Sequence, residues 1–207
     1  MNIGPYSVED YMHMVKSFHG NVAPGLIIGG FMVDLARKDF PQDLLYDAIS
    51  ETRTCLPDAI QLLTPCTIGN GWLRVMDFGR FALSLFDKYQ GEGVRVFLDS
   101  KKVEDWPEIR DWFFKLKSKK EQDANRLRDQ IIEAGPEILT ARRIQVEGAF
   151  LGKKGKGAVG KCPVCNEAYP IKDGPSCLAC QGGSPYGKDP RDDAREGKPG
   201  LKIVTTD

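Results

Sequence analysis

Two groups of side chains in this sequence have the types and the spacing for chemistry. The first is Cys162-Pro-Val-Cys165 followed by Cys177-Leu-Ala-Cys180, two CxxC pairs separated by eleven residues. Two intervening residues let both sulfurs of a pair reach one ion, and two pairs complete a tetrahedron. Zinc is the expected ion, and an iron–sulfur centre on the same ligands is the alternative. A redox pair of the thioredoxin type would be one CxxC inside a βαβ pattern, which is absent. Four protein ligands close the coordination, so this zinc is structural. It also explains how a segment with few large apolar residues folds at all. Between the pairs, Tyr169, Pro170 and Ile171 read as one arm of a small hairpin, with Asp173-Gly174 in its turn.

The second group lies between Glu51 and Gly71. Charged or polar groups (Glu51, Arg53, Asp58, Gln61), the thiols Cys55 and Cys66, and a Gly-Asn-Gly turn sit among apolar residues. Pro57 suits the first turn of a helix, and Asp58 suits the positive end of its dipole. Gly69 and Gly71 permit a sharp turn after Cys66. The pattern predicts a strand, Cys55 at its end, a short helix and a glycine turn. Such junctions often carry ligands, and more often are only structural.

Positioning these groups requires an α+β fold. Ser7-Val-Glu-Asp10 resembles a capping box, and Val8, Tyr11, Met12, Val15 and Phe18 recur at helical spacing, so residues 7–18 read as an amphipathic helix. His13 reads as a surface or half-buried side chain within it. His19 ends it before Gly20, as either a dipole partner or a ligand. A second helix, Pro24 to about Lys38, is apolar nearly all round, which implies burial on most sides. Strands are expected over 44–54, 72–78, 81–87 and 94–99, the last two forming a hairpin. Pro107 opens a helical stretch to about Ala134 whose polar middle, 117–125, is either a solvated face or a loop. Its apolar faces (Trp106, Ile109, Phe113, Leu116; then Leu127, Ile131, Ile132) suggest a wrap-around arm or an interface between protomers. The fold expected is a mixed or antiparallel sheet with packed helices, plus a small treble or zinc-ribbon-like module. Residues 1–150 would form the first domain and 151–207 the second, joined through the basic glycine-rich stretch 150–160.

Composition sets the wider bounds. Among the 207 residues the formal net charge is zero, yet from Gly152 onward 10 Lys and Arg stand against 7 Asp and Glu, a mild signal for an anionic partner. The N-terminal residues lack the pattern of a secretion signal, and the longest uncharged apolar stretch is too short to span a bilayer. A cytoplasmic location is therefore expected, with thiols or metal ligands rather than disulfides.

Several of these residues together resemble FmdE, a family named for formylmethanofuran dehydrogenase. They are Phe18-His19-Gly20…Pro24-Gly25, Glu51-Thr52…Cys55…Asp58-Ala59-Ile60-Gln61, Leu63-Thr64…Cys66-Thr67…Gly69…Gly71 and Asp77-Phe78-Gly79. They span about residues 15–100, and members with a C-terminal zinc ribbon are known. The resemblance implies an α+β core, an intertwined homodimer and a link to molybdenum or tungsten formylmethanofuran dehydrogenase operons. It implies no settled activity. One departure matters: the family's His-Gly-His-x-Cys-Pro-Gly reads His19-Gly20-Asn21-Val22-Ala23-Pro24-Gly25 here. Alanine binds no metal, so a second, core transition-metal site would keep only His19 and Cys55, with Cys66 in reserve.

Two functions follow. The chain is a zinc-binding accessory or regulatory protein of that metabolism, with a core cleft at His19, Cys55 and Asp58 for a metal or small ligand. Its ribbon would contact protein, or nucleic acid through Lys153, Lys154, Lys156 and Lys161, although Tyr169 and Tyr186 alone offer aromatic stacking. Alternatively it is a metal- or thiol-dependent enzyme of one-carbon or pterin-linked metabolism. Cys55 would then be nucleophile or ligand, His19 base or ligand, and Asp58 the orienting group. A structural dimer module without a ligand is the blander reading.

Overall fold

The computed structural model describes residues 1–38, 40, 45–152, 155 and 157–187. It divides the chain into two compact units, Met1–Lys153 and Lys154–Asp207. Lys153, Lys154 and Lys156 lie outside the described residues.

The first unit opens with a two-stranded ribbon, β1 (Asn2–Ile3) and β2 (Tyr6–Ser7), leading into α1 (Val8–His19). The Ser7 hydroxyl accepts from the Asp10 backbone N–H at 3.0 Å, the N-cap half of the box, and donates to the Asp10 carboxylate at 2.8 Å, a side-chain bond in place of the box's return bond to the Ser7 N–H. Val8, Tyr11 and Val15 are buried as their spacing requires. Phe18 departs from the expected face and is exposed, although His19 beside it pairs with Asp58.

Helix α2 runs Pro24–Lys38, buried along most of its length. It packs against α1, against the helix Leu56–Leu63 and on the sheet described below. Its glycines make that crowding geometrically feasible. A Cβ at Gly29 would stand 2.8 Å from the Ala59 Cβ, and one at Gly30 would stand 2.6 Å from Cε1 of Tyr11. Tyr11 is fully buried and donates to the Leu26 carbonyl at 2.9 Å, so the ring has nowhere to retreat. Gly30→Ala is therefore expected to cost about 1–3 kcal/mol by overpacking, despite alanine's better helix propensity. An unchanged midpoint in urea unfolding would contradict this.

The sheet has the order β4-β3-β5-β6-β7. Its strands are β3 (Tyr46–Ser50), β4 (Leu73–Val75), β5 (Ala82–Asp87), β6 (Glu92–Leu98) and β7 (Leu139–Gln145). β3 and β4 are parallel, joined by α3 (Leu56–Leu63), and the remaining pairs are antiparallel. The sheet is mixed, as expected, and the 81–87/94–99 hairpin forms. The strand expected over 44–54 is shorter, because the chain leaves the sheet at Glu51. Strand β7 has no counterpart among the expected strands. The helical stretch from Pro107 splits into α4 (Pro107–Phe113) and α5 (Ala124–Ala134) around a loop. Its apolar faces do not form an arm: Ile109, Leu127 and Ile131 join the core, while Leu116 is exposed.

In the second unit β8 (Val159–Lys161) pairs antiparallel with β9 (Ala168–Pro170). The hairpin thus closes over the first CxxC pair, with Gly160 opposite Tyr169. It does not lie between the two pairs, as the spacing suggests. No helix among the described residues is long and apolar enough to cross a membrane.

Candidate functional site

Leaving β3, the chain is fixed first by Glu51. Its backbone N–H donates to the Ala82 carbonyl, and its own carbonyl accepts from Phe78 and Arg80. Its carboxylate is buried and held by Arg95 through two bonds of 2.6 and 2.9 Å, and by Arg80 at 2.7 Å. Burial pushes this carboxyl up, but the two guanidinium groups outweigh it and hold it below the usual range.

Four residues later Cys55 caps α3 with φ 60° and ψ −55°. A positive φ is costly for a non-glycine residue. A Cβ on Gly25 would lie 3.0 Å from the Cys55 sulfur, so α2 presents its backbone directly to the thiol. Burial, and then Asp58, push this thiol's pKa up. At neutral pH it is protonated, the reverse of an activated nucleophile.

On the first turn of α3, Asp58 meets His19 from the end of α1, with Nδ1 and Oδ2 2.7 Å apart. The other Asp58 oxygen accepts from Gln61 at 3.4 Å, and Gln61 in turn accepts from the Ile68 N–H. His19, Asp58 and Gln61 therefore form one polar string from the end of α1 along the helix that Cys55 caps. Cys66 does not join it. Its buried thiol is pushed up to about 11 by desolvation and donates to the Tyr46 carbonyl at 3.5 Å. His13 is exposed on α1.

Cys55 opens on a cavity of about 780 Å³. Ala23, Pro24 and Gly25 form the same wall as the thiol, and Trp112 and Leu127 form an apolar flank. The position where the family motif has cysteine, Ala23, therefore faces the space that Cys55 faces. The remaining wall is the α4–α5 loop with Lys115, Lys117, Ser118, Lys119 and Gln122. Sequence reasoning missed this loop, because nothing local links it to a thiol some sixty residues earlier. Asn21, at the other altered motif position, is exposed.

The second unit brings the four cysteines together. The ligand atoms of Cys162, Cys165, Cys177 and Cys180 all lie within 4.8 Å of one another, and Cys165 and Cys177 are 3.8 Å apart. Zinc–sulfur bonds of about 2.3 Å in a tetrahedron place sulfurs about 3.8 Å apart, so the cage fits that ion. Backbone N–H groups of Cys165 and Cys177 hold the Cys162 thiol down at about 6. The neighbouring Cys177 sulfur, with burial, pushes Cys180 up to about 12. Such a set ionises fully only around a cation. Asn166, at φ 63°, supplies the turn that brings Cys165 round, and its N–H donates to the Cys162 carbonyl. Tyr169 is buried, with its hydroxyl on the Gly174 carbonyl, so its ring is not offered for stacking. Lys161 is exposed.

A family profile described as "FmdE, Molybdenum formylmethanofuran dehydrogenase operon" matches residues 18–146, and one described as "FmdE treble clef zinc finger" matches 153–187. The crystal structure of a tungsten formylmethanofuran dehydrogenase FmdE-like protein from Syntrophus aciditrophicus is similar, with a TM-score of 0.83 and 60% identity. That match covers 89% of this chain and 97% of the other. A probable S-adenosyl-L-methionine-binding protein of Archaeoglobus fulgidus is 30% identical over 190 residues, 81% of this chain. This chain spans about half of that relative's length, 51%.

Proposed function

The chain belongs to the FmdE family, and on that premise we propose that it is an accessory protein of formylmethanofuran dehydrogenase-type metabolism whose core binds a small ligand. The link to that metabolism comes from the family name and from the Syntrophus relative's description. The carrying observation is the cavity at Cys55, whose volume lies in the range of small-molecule sites. His19 and Asp58, expected in one cleft with Cys55, form a hydrogen-bonding pair between the end of α1 and α3 but are not among the residues that line this cavity. The finger's zinc is structural, since its four thiols close the coordination.

A metal at His19 and Cys55 has less support. Among the described residues, the four finger thiols are the one cluster of three or more His, Cys, Asp or Glu donors. With Ala23 in the wall, an ion there would depend on two protein ligands and on solvent. The enzyme reading has the His19–Asp58 pair in its favour, but it must overcome a thiol held protonated. Metal analysis of the purified protein is expected to give one zinc per chain. A second equivalent, lost on Cys55→Ser or His19→Ala, would replace the small-ligand reading with a core metal centre.

Family resemblance also carries a cytoplasmic homodimer, for which exposed Phe18, Phe78 and Phe114 leave apolar surface. Partner contact by the finger fits protein better than nucleic acid, since Tyr169 is turned inward and leaves Tyr186 as the one exposed ring for stacking among the described finger residues. The Archaeoglobus relative's name raises S-adenosyl-L-methionine as an occupant to be tested against the charge of the cavity wall.

A further inference from the structure

We infer that the core cavity takes a small organic anion with an apolar or planar body, and that the α4–α5 loop selects it by charge. This rests on the small-ligand reading above and adds the ligand's class. Lys115, Lys117 and Lys119 line the space, and no acidic residue does among the described residues. Lys117 is neutralised by Asp111, 2.7 Å away, with Glu108 at 3.9 Å. Lys115 and Lys119 have no such partner: neither side chain makes an ion pair or hydrogen bond among the described residues. Two unpaired cations beside an apolar wall attract an anion and repel a cation.

The loop that carries these lysines is braced. The Glu121 carboxylate accepts from the Ser118 N–H at 2.9 Å and from its hydroxyl at 2.6 Å, and Gln122 donates to the Lys117 carbonyl at 3.0 Å. Lys115 itself is held at φ 55°. A braced loop loses little entropy on binding, which is how a preformed site differs from a solvated lysine run. Opposite it, Trp112 is set by an edge-on contact with Phe81, ring centroids 6.4 Å apart, which leaves its indole as a fixed apolar flank. A carboxylate or phosphate would rest on the lysines while the ligand body lies along Trp112, Leu127 and the Cys55 wall. S-adenosylmethionine carries a sulfonium and an ammonium against one carboxylate, so its net positive charge is disfavoured beside the same lysines.

Cys55 shares the cavity lining with these lysines, and any excess it shows for an anionic reagent arises against the opposing charge of Asp58. The full-length protein would be alkylated with iodoacetate, an anion, and with iodoacetamide, its neutral isostere, and Cys55 followed by peptide mass spectrometry. The ratio of the two rates, normalised to a neutral unstructured cysteine peptide, cancels the thiolate fraction. At low salt the ratio is expected to exceed that of the peptide by at least about threefold, and to fall toward it in high salt. Lys115→Gln/Lys119→Gln, both at exposed positions, should abolish the excess. 2-Naphthoate should protect Cys55 from iodoacetamide better than 2-naphthamide or S-adenosylmethionine does.

A wild-type ratio at or below that of the peptide would overturn the charge selection while leaving the cavity reading intact. So would protection that is equal for all three compounds or absent for all. A Cys55 that neither reagent reaches until the protein is denatured would remove the cavity reading itself, and this inference with it.

Discussion

Removing the metal from the finger is expected to unfold residues 157–187 and to leave the first unit folded. Among the described residues beyond 150, Cys162 and Tyr169 are the apolar side chains that are buried. One tyrosine contributes a few kcal/mol at most by burial, about 1.5–3 for a large side chain. Ordering some thirty residues costs far more than that in conformational entropy. The balance has to come from the ion, which supplies about 10–16 kcal/mol in small finger peptides. 1,10-Phenanthroline, or Cys180→Ser, should therefore collapse the amide dispersion of residues 157–187 in a two-dimensional NMR spectrum. Signals from α2 and the five-stranded sheet should stay in place. Dispersed finger signals after stoichiometric zinc release would show that the hairpin holds itself together without its cage.

The finger is the most legible part of the chain because ligand geometry dictates spacing. Four thiols at CxxC intervals leave little freedom in how they converge. The hairpin is less legible, since antiparallel pairing depends on which residue stands opposite Gly160, and Tyr169 wins that place from across the first knuckle. Helix α2 can be read because Pro24 marks its start and its apolar residues persist around the whole circumference. Strand β7 cannot: Leu-Thr-Ala-Arg-Arg-Ile-Gln has no clean alternation, and its register comes from β6, with Arg142 opposite Arg95. It is an edge strand, where charged residues are tolerated and periodicity fades.

At the core site, His19, Cys55 and Asp58 are each visible as residue types at a helix end and a strand exit. Their joining depends on α1 and α3 meeting, which no local pattern encodes. The positive φ of Cys55 carries no sequence signal either, because glycine or asparagine is the usual mark of that conformation. The lysine loop is the extreme case. A polar run reads as solvated until the fold sets it across a cavity from Ala23 and Cys55.

Replacing Arg95 by methionine is expected to destabilise the first unit by about 3–5 kcal/mol, the cost of leaving a buried carboxylate without its partner. Glu51 is 5% exposed, and Arg95 grips both its oxygens. Arg80, the remaining cation, has a side chain 59% exposed, and solvent screens much of its attraction. The pH dependence follows from the direction of the shift. The Glu51 carboxyl is held below its unfolded value, so its contribution to stability is full above about pH 4.3, the ordinary glutamate value. That contribution is lost as pH falls through the folded value. In Arg95→Met burial dominates instead and raises the carboxyl, so acid relieves the variant while it weakens the wild type. The stability gap in urea unfolding should be wide at pH 7 and narrow near pH 4. Glu51→Gln combined with Arg95→Met should recover part of the loss, because the stranded charge is gone. Cys55 gives a second readout, since Glu51 sets where the chain leaves the sheet four residues before the thiol. Its alkylation rate should change in Arg95→Met and return toward wild type in the double variant. A gap of equal size at both pH values would mean that Arg95 acts through packing on Phe97, 5.1 Å from its ring centre, and not through the Glu51 charge.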